Sequence, residues 1–372
     1  MVNALIITLS IVCLYYYSRI LYFIFGLLKL KNNEKYYSAP VSIIVSVYNG
    51  EQSINRLLNQ LKNQIYDNKI EFIIVDDMST DFTKELIKKY VNNDNRFIYV
   101  SSESGNPKLA YKKKALDAGI KKSRYDILLF TDVDCQLNPK WAQQMISEFK
   151  DHNIEYVVGF SYVDNKYIKN LVSKFQQVDF FMLMATAFSC LKNNNPWASS
   201  GQNQAYRKKL YYDVGGFSKI KNCLQGDDTL YMQICNKFNN ITCCFHQESF
   251  VITRTEYSFL SFIRQRIRWS GDANIMWKFN KSLYTMIIST FLVNTFILFS
   301  GIIIGYKLTF VCLLVKIILE YILFYLSNKK FKIDIKSIYY LWWSILQIPY
   351  VFIMGISSFF TNYLINWKSK KI

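Results

Sequence analysis

The sequence predicts an α/β domain with a mostly parallel sheet, flanked by membrane-spanning helices. Between Tyr36 and about Trp277, short β-rich runs alternate with polar, helix-like stretches, a pattern typical of largely parallel sheets. Long apolar segments lie on both sides of this region. Hydrophobic residues make up 51% of the 372 residues and charged residues 19%. This composition excludes a disordered chain, which needs low hydrophobicity and a high net charge.

The first apolar segment, Ala4–Leu28, is interrupted only by Arg19. As a helix it is about 37 Å long, which exceeds the bilayer core of about 30 Å. It has neither the basic start nor the small-residue cleavage site of a signal peptide. We therefore predict a retained N-terminal anchor at residues 1–30. Three lysines follow it closely, and the positive-inside rule places that end in the cytoplasm.

The central region, residues 36–255, is predicted to form one α/β domain. Runs of β-branched and aromatic residues predict its strands, and polar stretches between them predict its helices. The predicted strands are Val41–Val47, Phe72–Asp76, Phe97–Val100, Ile127–Thr131 and Tyr156–Phe160, and the predicted helices are Ser53–Asn63, Thr83–Val91, Lys108–Lys121 and Pro139–Lys150.

A second membrane region is predicted at residues 283–367, with two to three spans. Its apolar segments are Leu283–Tyr306, Leu308–Ser327 and Ser337–Trp367. Lys316 and Glu320 lie four residues apart inside the second segment, so they are expected to pair on one helical face. The third segment exceeds one bilayer crossing and contains Pro349. A single crossing, a re-entrant segment and a tight hairpin are all open for it.

The net charge of +18, from 45 Lys and Arg against 27 Asp and Glu, indicates either nucleic acid or an anionic membrane surface. The basic residues are spread along the chain without a compact block, and no nucleic-acid-binding motif is present. Because apolar spans are present, we expect membrane lipids as the partner and no nucleic acid.

Polar residues follow the first two predicted strands at their carboxyl ends, where open α/β sheets bind ligands. After the first strand, Tyr48 suits packing against a nucleotide base, and Glu51 suits hydrogen bonds with ribose hydroxyls. After the second strand come the adjacent acids Asp76 and Asp77. A base or ribose suits one of them, and a helix N-cap suits the other. The alternative at both places is an ordinary strand–turn–helix junction.

A third polar cluster, Asp132 and Asp134, follows the strand at residues 127–131. Residues two apart lie on one face of an extended chain. Their carboxylates therefore suit Mg²⁺ or Mn²⁺, and Mg²⁺ bound by one or two carboxylates usually also holds substrate phosphates. The alternative is a solvated acidic loop.

Two further acids, Asp227 and Asp228, lie between Gly226 and Thr229. A carboxylate in this region suits the deprotonation of an acceptor hydroxyl. The alternative is a turn that caps a helix.

The last candidate site is Gln265, Arg268 and Trp269, which share one face of a predicted helix. Arg268 suits a pyrophosphate, and Trp269 suits stacking on a sugar ring. Apolar residues from Phe259 onward make residues 256–280 amphipathic, which predicts an interfacial helix with Arg264 and Arg266 available to lipid phosphates. A plain interfacial helix is the alternative.

Taken in order, these motifs resemble the family-2 glycosyltransferases, which are inverting enzymes of the GT-A class. The resemblance extends from Val41 to about Trp269. The residues that carry it are PVSIIVSVYN at 40–49, VDDMSTD at 75–81, TDVD at 131–134, GQNQAYR at 201–207, GDD at 226–228 and QRIRW at 265–269.

The resemblance implies a GT-A, Rossmann-like domain that binds a nucleotide sugar together with Mg²⁺ or Mn²⁺. By position, it implies that Asp76 and Asp77 belong to the nucleotide pocket, Asp132 and Asp134 to the metal and diphosphate, Asp228 to the general base, and Gln265–Trp269 to an acceptor and diphosphate clamp. Lys112 falls where the family often has a Gly-Lys pair. Tyr111 replaces that glycine here, which departs from the family pattern.

The expected function is that of a membrane-bound glycosyltransferase. It would move a sugar from a nucleoside diphosphate sugar to a lipid-linked or membrane-proximal hydroxyl, with inversion, on the cytoplasmic side of the membrane. Gln-x-x-Arg-Trp also occurs in membrane-embedded synthases, so a processive polysaccharide synthase is the close alternative. A non-catalytic membrane scaffold is the distant one. The sequence does not predict the sugar, the nucleotide, the acceptor or the oligomeric state.

Overall fold

The computed structural model describes residues 2–32, 35–236, 240–303 and 305–361. The chain divides into two compact units. The α/β unit comprises Lys31–Asp164 and Pro196–Arg254, and the helical unit comprises Met1–Leu30, Asn165–Asn195 and Thr255–Ile372.

The elements are numbered along the chain. The helices of the α/β unit are α2 (Glu51–Lys62), α3 (Thr83–Asn93), α4 (Lys112–Lys122), α5 (Trp141–Ser147), α7 (Lys208–Asp213) and α8 (Thr229–Cys235), and its strands are β1 (Val41–Val47), β2 (Ile70–Asp76), β3 (Phe97–Ser101), β4 (Ile127–Phe130), β5 (Tyr156–Gly159), β6 (Ser161–Val163), β7 (Gln204–Arg207), β8 (Ile241–Cys244) and β9 (Val251–Thr253). The helices of the helical unit are α1 (Val2–Lys29), α6 (Leu171–Lys192), α9 (Phe259–Ser270), α10 (Lys281–Ile303), α11 (Tyr306–Phe331) and α12 (Ser337–Ser357).

Seven strands form one sheet in the order β3-β2-β1-β4-β7-β5-β8. All neighbours are parallel except β7, which runs antiparallel to both β4 and β5. Strands β6 and β9 form a separate parallel pair. The predicted α/β fold with a mostly parallel sheet is confirmed, and the five predicted strands correspond to β1–β5.

Helices cover both faces of the sheet, which explains why β1 is apolar along most of its length. Alternate residues of β1, from Val41 to Val47, join one core with the apolar faces of α2, α3 and α5. On the other face, α4 packs closely through Gly119. A Cβ at Gly119 would lie 2.6 Å from Cγ2 of Ile44, so a larger residue there would push α4 away from the sheet.

The strand register places the carboxyl ends of neighbouring strands side by side. Val47 lies opposite Asp76, and Asp76 lies opposite Ser101. β4 is paired with the same central strand through Ile44 and Phe130. The polar loops that follow β1, β2 and β4 therefore emerge at one edge of the sheet.

Within the described residues, four helices are long and apolar enough to cross a membrane. They are Ile6–Lys29, Lys281–Phe299, Tyr306–Phe331 and Ser337–Phe360. The last is one continuous helix through Pro349 as far as Ser357. The end of the predicted third C-terminal segment, residues 362–367, and the lysines that follow it lie outside the described residues.

Helix α6 belongs to the helical unit, although its sequence lies inside the region that we assigned to the α/β domain. Its buried residues point in all directions around the helix, which is typical of a helix enclosed by other helices. It packs against α1 at Gly26, where a Cβ would lie 2.2 Å from the carbonyl oxygen of Ser189. The order of residues in the sequence did not show that α6 packs with the helical unit.

A buried polar network joins three helices of the helical unit. Lys316 Nζ lies 2.9 Å from Glu320 Oε2 and 2.6 Å from Gln347 Oε1. The Tyr16 hydroxyl donates a hydrogen bond to Glu320. Lys316 and Glu320 are almost completely inaccessible to solvent, so the predicted pairing of these two residues is confirmed. The network connects α1, α11 and α12.

We expect Lys316→Met to lower the free energy of unfolding by about 3–5 kcal/mol, because it leaves the Glu320 carboxylate buried without its cation. The double variant Lys316→Met/Glu320→Gln should recover at least half of that loss, since no buried charge remains. Thermal or denaturant unfolding of the full chain in micelles measures both. Lys307→Met, at an exposed lysine of the same helix, is the control. Equal stability of Lys316→Met and Lys307→Met would contradict the prediction.

Candidate active site

The loops after β1 and β2 are joined by hydrogen bonds. Asn49 has a positive φ of 48°, and its backbone N–H donates to Ser79 Oγ at 3.0 Å. Its side-chain oxygen accepts from the Thr80 N–H at 2.8 Å. These bonds leave the neighbouring side chains accessible, with Tyr48 38% exposed and Glu51 also exposed. The structure therefore places both residues at the sheet edge, open to a ligand.

Asp76 and Asp77 differ in what surrounds them. Asp76 is 4% exposed, and it accepts hydrogen bonds from the Ser79 N–H at 3.1 Å and the Tyr99 hydroxyl at 3.3 Å. The Asp77 backbone N–H donates to the carbonyl of Val47, and its side chain is only half-buried. Asp76 therefore fixes the turn, while Asp77 presents the more accessible carboxylate.

Lys112, the first residue of α4, connects two of the predicted acidic clusters. Its Nζ lies 2.6 Å from Asp132 Oδ1 and 3.2 Å from Asp227 Oδ2. Burial alone would lower the pKa of Lys112, but the charges of Asp132 and Asp227 outweigh it, and the pKa is raised. The side chain is therefore a permanent cation between the loop after β4 and the turn before α8.

The adjacent acids Asp227 and Asp228 have different electrostatic surroundings. Burial, followed by the negative charge of Asp227, raises the pKa of Asp228 to about 6. For Asp227, burial would raise the pKa, but Lys112 and then Lys113 outweigh it and hold the pKa below its usual value. Two carboxylates whose pKa values are separated in this way suit different roles. Asp228 suits proton transfer, and Asp227 suits a fixed negative charge.

Backbone amides hold the Asp228 carboxylate in place. Its Oδ1 accepts from the Thr229 N–H at 2.5 Å, which caps α8. Its Oδ2 accepts from the Gly201 N–H at 3.3 Å. A Cβ at Gly201 would lie 3.2 Å from Lys112 Nζ and 3.3 Å from Asp227 Oδ2, so this close approach favours glycine.

Two residues of the segment 201–207 support the site in ways that the sequence did not reveal. Asn203 accepts a hydrogen bond from Trp141 Nε1 at 2.9 Å and donates to the carbonyls of Phe160 and Ser249. Gln204 Nε2 donates to the Asp227 carbonyl at 3.3 Å. In the sequence these two residues were visible as part of the motif at 201–207, but a motif does not show the hydrogen-bond partners of its side chains.

Asp132 and Asp134 are the predicted ligands of a metal that a bound substrate would share. Among the residues that the structure describes, no three His, Cys, Asp or Glu side chains converge tightly enough to hold a metal ion alone. Mg²⁺ typically binds one or two protein carboxylates and takes its other ligands from phosphate oxygens and water. β4 ends at Phe130 and Asp134 lies in a turn, so the two acids do not follow one another in extended backbone, and their shared metal stays a prediction.

Gln265, Arg268 and Trp269 lie in α9 of the helical unit, and all three are half-buried. Whether they act together with Asp228, which belongs to the α/β unit, stays a prediction.

The expectation that Arg266 is available to lipid phosphates was wrong. Arg266 is 3% exposed, and its guanidinium lies 3.0 Å from Asp179 and over the Trp269 ring at 4.2 Å. It lies four residues after the buried Phe262, so it shares the inward face of α9. Arg264 is exposed, as expected.

Tyr111, which replaces the family's glycine, adopts a backbone conformation typical of glycine. Its φ is 59° and its ψ is −154°, in a region that is essentially restricted to glycine. This residue occupies the N-cap position of α4 without a side-chain capping hydrogen bond, and the Lys113 ammonium lies 5.7 Å from the centre of its ring. The replacement therefore retains the local turn that the glycine would give, and Lys112 still reaches the acids.

We expect Tyr111→Ala to be less stable than Tyr111→Gly by about 1–2 kcal/mol, because only glycine adopts this conformation without strain. Both variants remove the ring, so its contact with Lys113 cancels in the comparison. Thermal unfolding of the two purified variants side by side measures the difference. A Tyr111→Ala protein that is as stable as Tyr111→Gly would show that the backbone is not strained.

Comparisons with known proteins indicate the family of the α/β region. The sequence model described as Glycosyl transferase family 2 matches residues 42–215. A poly-β-1,6-N-acetyl-D-glucosamine synthase of Staphylococcus aureus (strain COL) is 29% identical over 181 residues, which cover 47% of this chain and 41% of that protein. A putative glycosyltransferase, EpsH, of Bacillus subtilis (strain 168) is 36% identical over 106 residues, or 28% of this chain and 29% of that protein. The chain thus matches less than half the length of these relatives.

Among solved structures, the mannosyltransferase PcManGT from Pyrobaculum calidifontis, in complex with GDP-Man and Mn²⁺, superposes with a TM-score of 0.64. The match covers 96% of this chain and 99% of that chain at 16% identity, so it shows a shared fold. Together with the family match, this shared fold shows what kind of domain the α/β region forms. This chain carries a glycosyltransferase family 2 domain of the GT-A fold.

Proposed function

We propose that this protein is a membrane-bound, inverting glycosyltransferase. It moves a sugar from a nucleoside diphosphate sugar to a lipid-linked or membrane-proximal hydroxyl. The observation that carries the proposal is that Lys112 bridges Asp132 and Asp227 next to Asp228, whose pKa is raised. This arrangement combines a site for a diphosphate with a candidate base inside a family 2 domain.

The donor binds at the carboxyl ends of the strands. Tyr48 and Glu51 face the base and ribose, and Asp77, with Asp76 behind it, completes the nucleotide pocket. Asp132 and Asp134 would hold Mg²⁺ or Mn²⁺, and the bound ion would stabilise negative charge on the leaving diphosphate. The GDP-Man and Mn²⁺ in the structurally similar mannosyltransferase support this donor class and this metal.

Asp228 takes the proton from the acceptor hydroxyl, whose oxygen attacks the anomeric carbon opposite the diphosphate, so the anomeric centre inverts. Lys112 keeps Asp227 ionised. Burial, followed by the charge of Asp227, raises the pKa of Asp228 to about 6. Gln265, Arg268 and Trp269 form the acceptor and diphosphate clamp in this proposal.

The four candidate spans support an integral membrane location. We propose an anchor at 1–30, a catalytic domain at 36–255 from which residues 165–195 pack in the helical unit, an interfacial region at 256–280 and a membrane region at 283–367. The lysines after the first span favour the cytoplasmic side of the cell membrane for the catalytic domain. A membrane acceptor follows from this placement.

A processive polysaccharide synthase is the second candidate function. The Staphylococcus aureus relative is named as the synthase of a polysaccharide, which favours this alternative. The two functions differ in product size. A single transfer lengthens the acceptor by one sugar, whereas a synthase yields a ladder or a long polymer from the same donor.

The full chain in lipid nanodiscs, supplied with Mn²⁺ or Mg²⁺ and bacterial lipid extract, should release nucleoside diphosphate from one member of a panel of nucleotide sugars. Asp228→Asn should abolish release, because the base is lost. Asp213→Asn, at an exposed aspartate of the same unit, should retain it. Release that persists unchanged in Asp228→Asn, or no release with any donor by the folded protein, contradicts the proposal.

The rate of transfer should fall on the acid side of about pH 6, because Asp228 must be unprotonated to accept a proton and its pKa is about 6. Asp227→Asn should move this acid limb to lower pH, since it removes the negative charge that raises the pKa of Asp228. Profiles of kcat against pH for both proteins measure the shift. A limb that stays in place or moves to higher pH would show that Asp227 does not set the pKa of the base.

A further inference from the structure

Lys113 is a buried charge with a specific set of partners. Its side chain is 1% exposed, although lysine is almost never fully buried unless it is paired. Nζ donates to the backbone carbonyls of Cys223 at 2.6 Å and Gln225 at 3.1 Å. Both carbonyls belong to the irregular segment that leads into Gly226–Asp228.

This segment lacks the regular hydrogen bonding of a helix or strand, so the contacts around it determine its position. Gly226 has a φ of 100°, a conformation that glycine allows. Asp228 follows two residues later and caps α8. An ammonium group that binds two carbonyls just before this turn restricts how far the turn can move.

The start of α4 brings two successive lysines to the same turn. Lys112 contacts the Asp227 carboxylate, and Lys113 contacts the backbone that precedes it. Tyr111, just before them, is held in a backbone conformation that strains any residue other than glycine. Such strain clusters where function requires a fixed geometry, and here it precedes the two lysines directly.

We propose that Lys113 is a positioning residue for the reaction: it holds the Gly226–Asp228 turn so that the Asp228 carboxylate meets the acceptor hydroxyl. The inference rests on the proposed function, in which Asp228 is the base. Lys113 acts through the backbone of Cys223 and Gln225 and takes no part in proton transfer. Removing its ammonium group leaves the donor-binding acids in place and displaces the base.

The test compares Lys113→Met with Lys114→Met in the full chain in nanodiscs. Both changes remove one lysine charge from the first turn of α4, and Lys114 is half-buried. We expect Lys113→Met to lower kcat about 100-fold, the loss typical of a 1 Å displacement of a catalytic group, with the donor KM changed less than about twofold. Lys114→Met should keep kcat within about threefold of the parent protein.

A second readout does not depend on activity. Hydrogen–deuterium exchange of the 222–229 amides should be faster in Lys113→Met than in Lys114→Met, while exchange within β1 and β2 stays the same. In Lys113→Ala, added ethylammonium should restore part of kcat, because a small ammonium ion can occupy the vacated position. A merely misfolded protein would show neither the local exchange change nor the rescue.

The outcomes separate the inference from the proposed function. Lys113→Met with unchanged kcat, or unchanged exchange at 222–229, overturns the inference, and so does an equal rise in donor KM and fall in kcat. If Lys113→Met does not fold, Lys113→Leu, which also has no N–H donor in its side chain, serves in its place with the same criteria. If the parent protein itself releases no nucleoside diphosphate, the proposed function fails, and the exchange readout still decides whether Lys113 holds the turn.

Discussion

The contact of Lys112 with Asp132 and Asp227 is the interaction on which the candidate site depends. Three carboxylates, those of Asp132, Asp227 and Asp228, gather where β4 and α8 approach α4, and carboxylates this close cannot all ionise without a cation. The Lys112 ammonium contacts two of them, Asp132 and Asp227, and its charge holds the pKa of Asp227 below its usual value. Burial, and then the charge of the Asp227 that Lys112 keeps ionised, raise the pKa of Asp228, while the charge of Lys112 itself offsets part of that rise.

The same contact determines which residues fit around it. Gly201 approaches Lys112 and Asp227 too closely for a side chain, and Tyr111 accepts a strained backbone at the point where α4 begins. One lysine does not balance the acids and an arriving diphosphate as well. The excess negative charge is the physical reason for proposing a divalent cation at Asp132 and Asp134, since such an ion is usually the largest local charge in a phosphate site.

The sequence predicted the elements of the sheet well, because β1–β4 are short runs of β-branched and aromatic residues bounded by polar turns. It also placed Asp76 and Asp132 at or just beyond the ends of β2 and β4, the two strands that flank β1. It did not identify Lys113, because three consecutive lysines at 112–114 look alike until the start of α4 fixes their directions. Helix α6 was assigned to the wrong unit by order alone, since only its contacts with α1 show where it packs.

Arg266 is another residue whose surroundings the sequence did not predict. Helical periodicity gives the face on which a residue lies but not what covers that face, and Asp179 is remote in sequence. Burying an ion pair such as Arg266–Asp179 or Lys316–Glu320 gains little free energy over a well-packed apolar pair. What it adds is a preference for one arrangement of helices, because any other leaves a charge buried alone. We interpret Arg266 as fixing the rotation of α9, so that Gln265, Arg268 and Trp269 stay on the half-buried side.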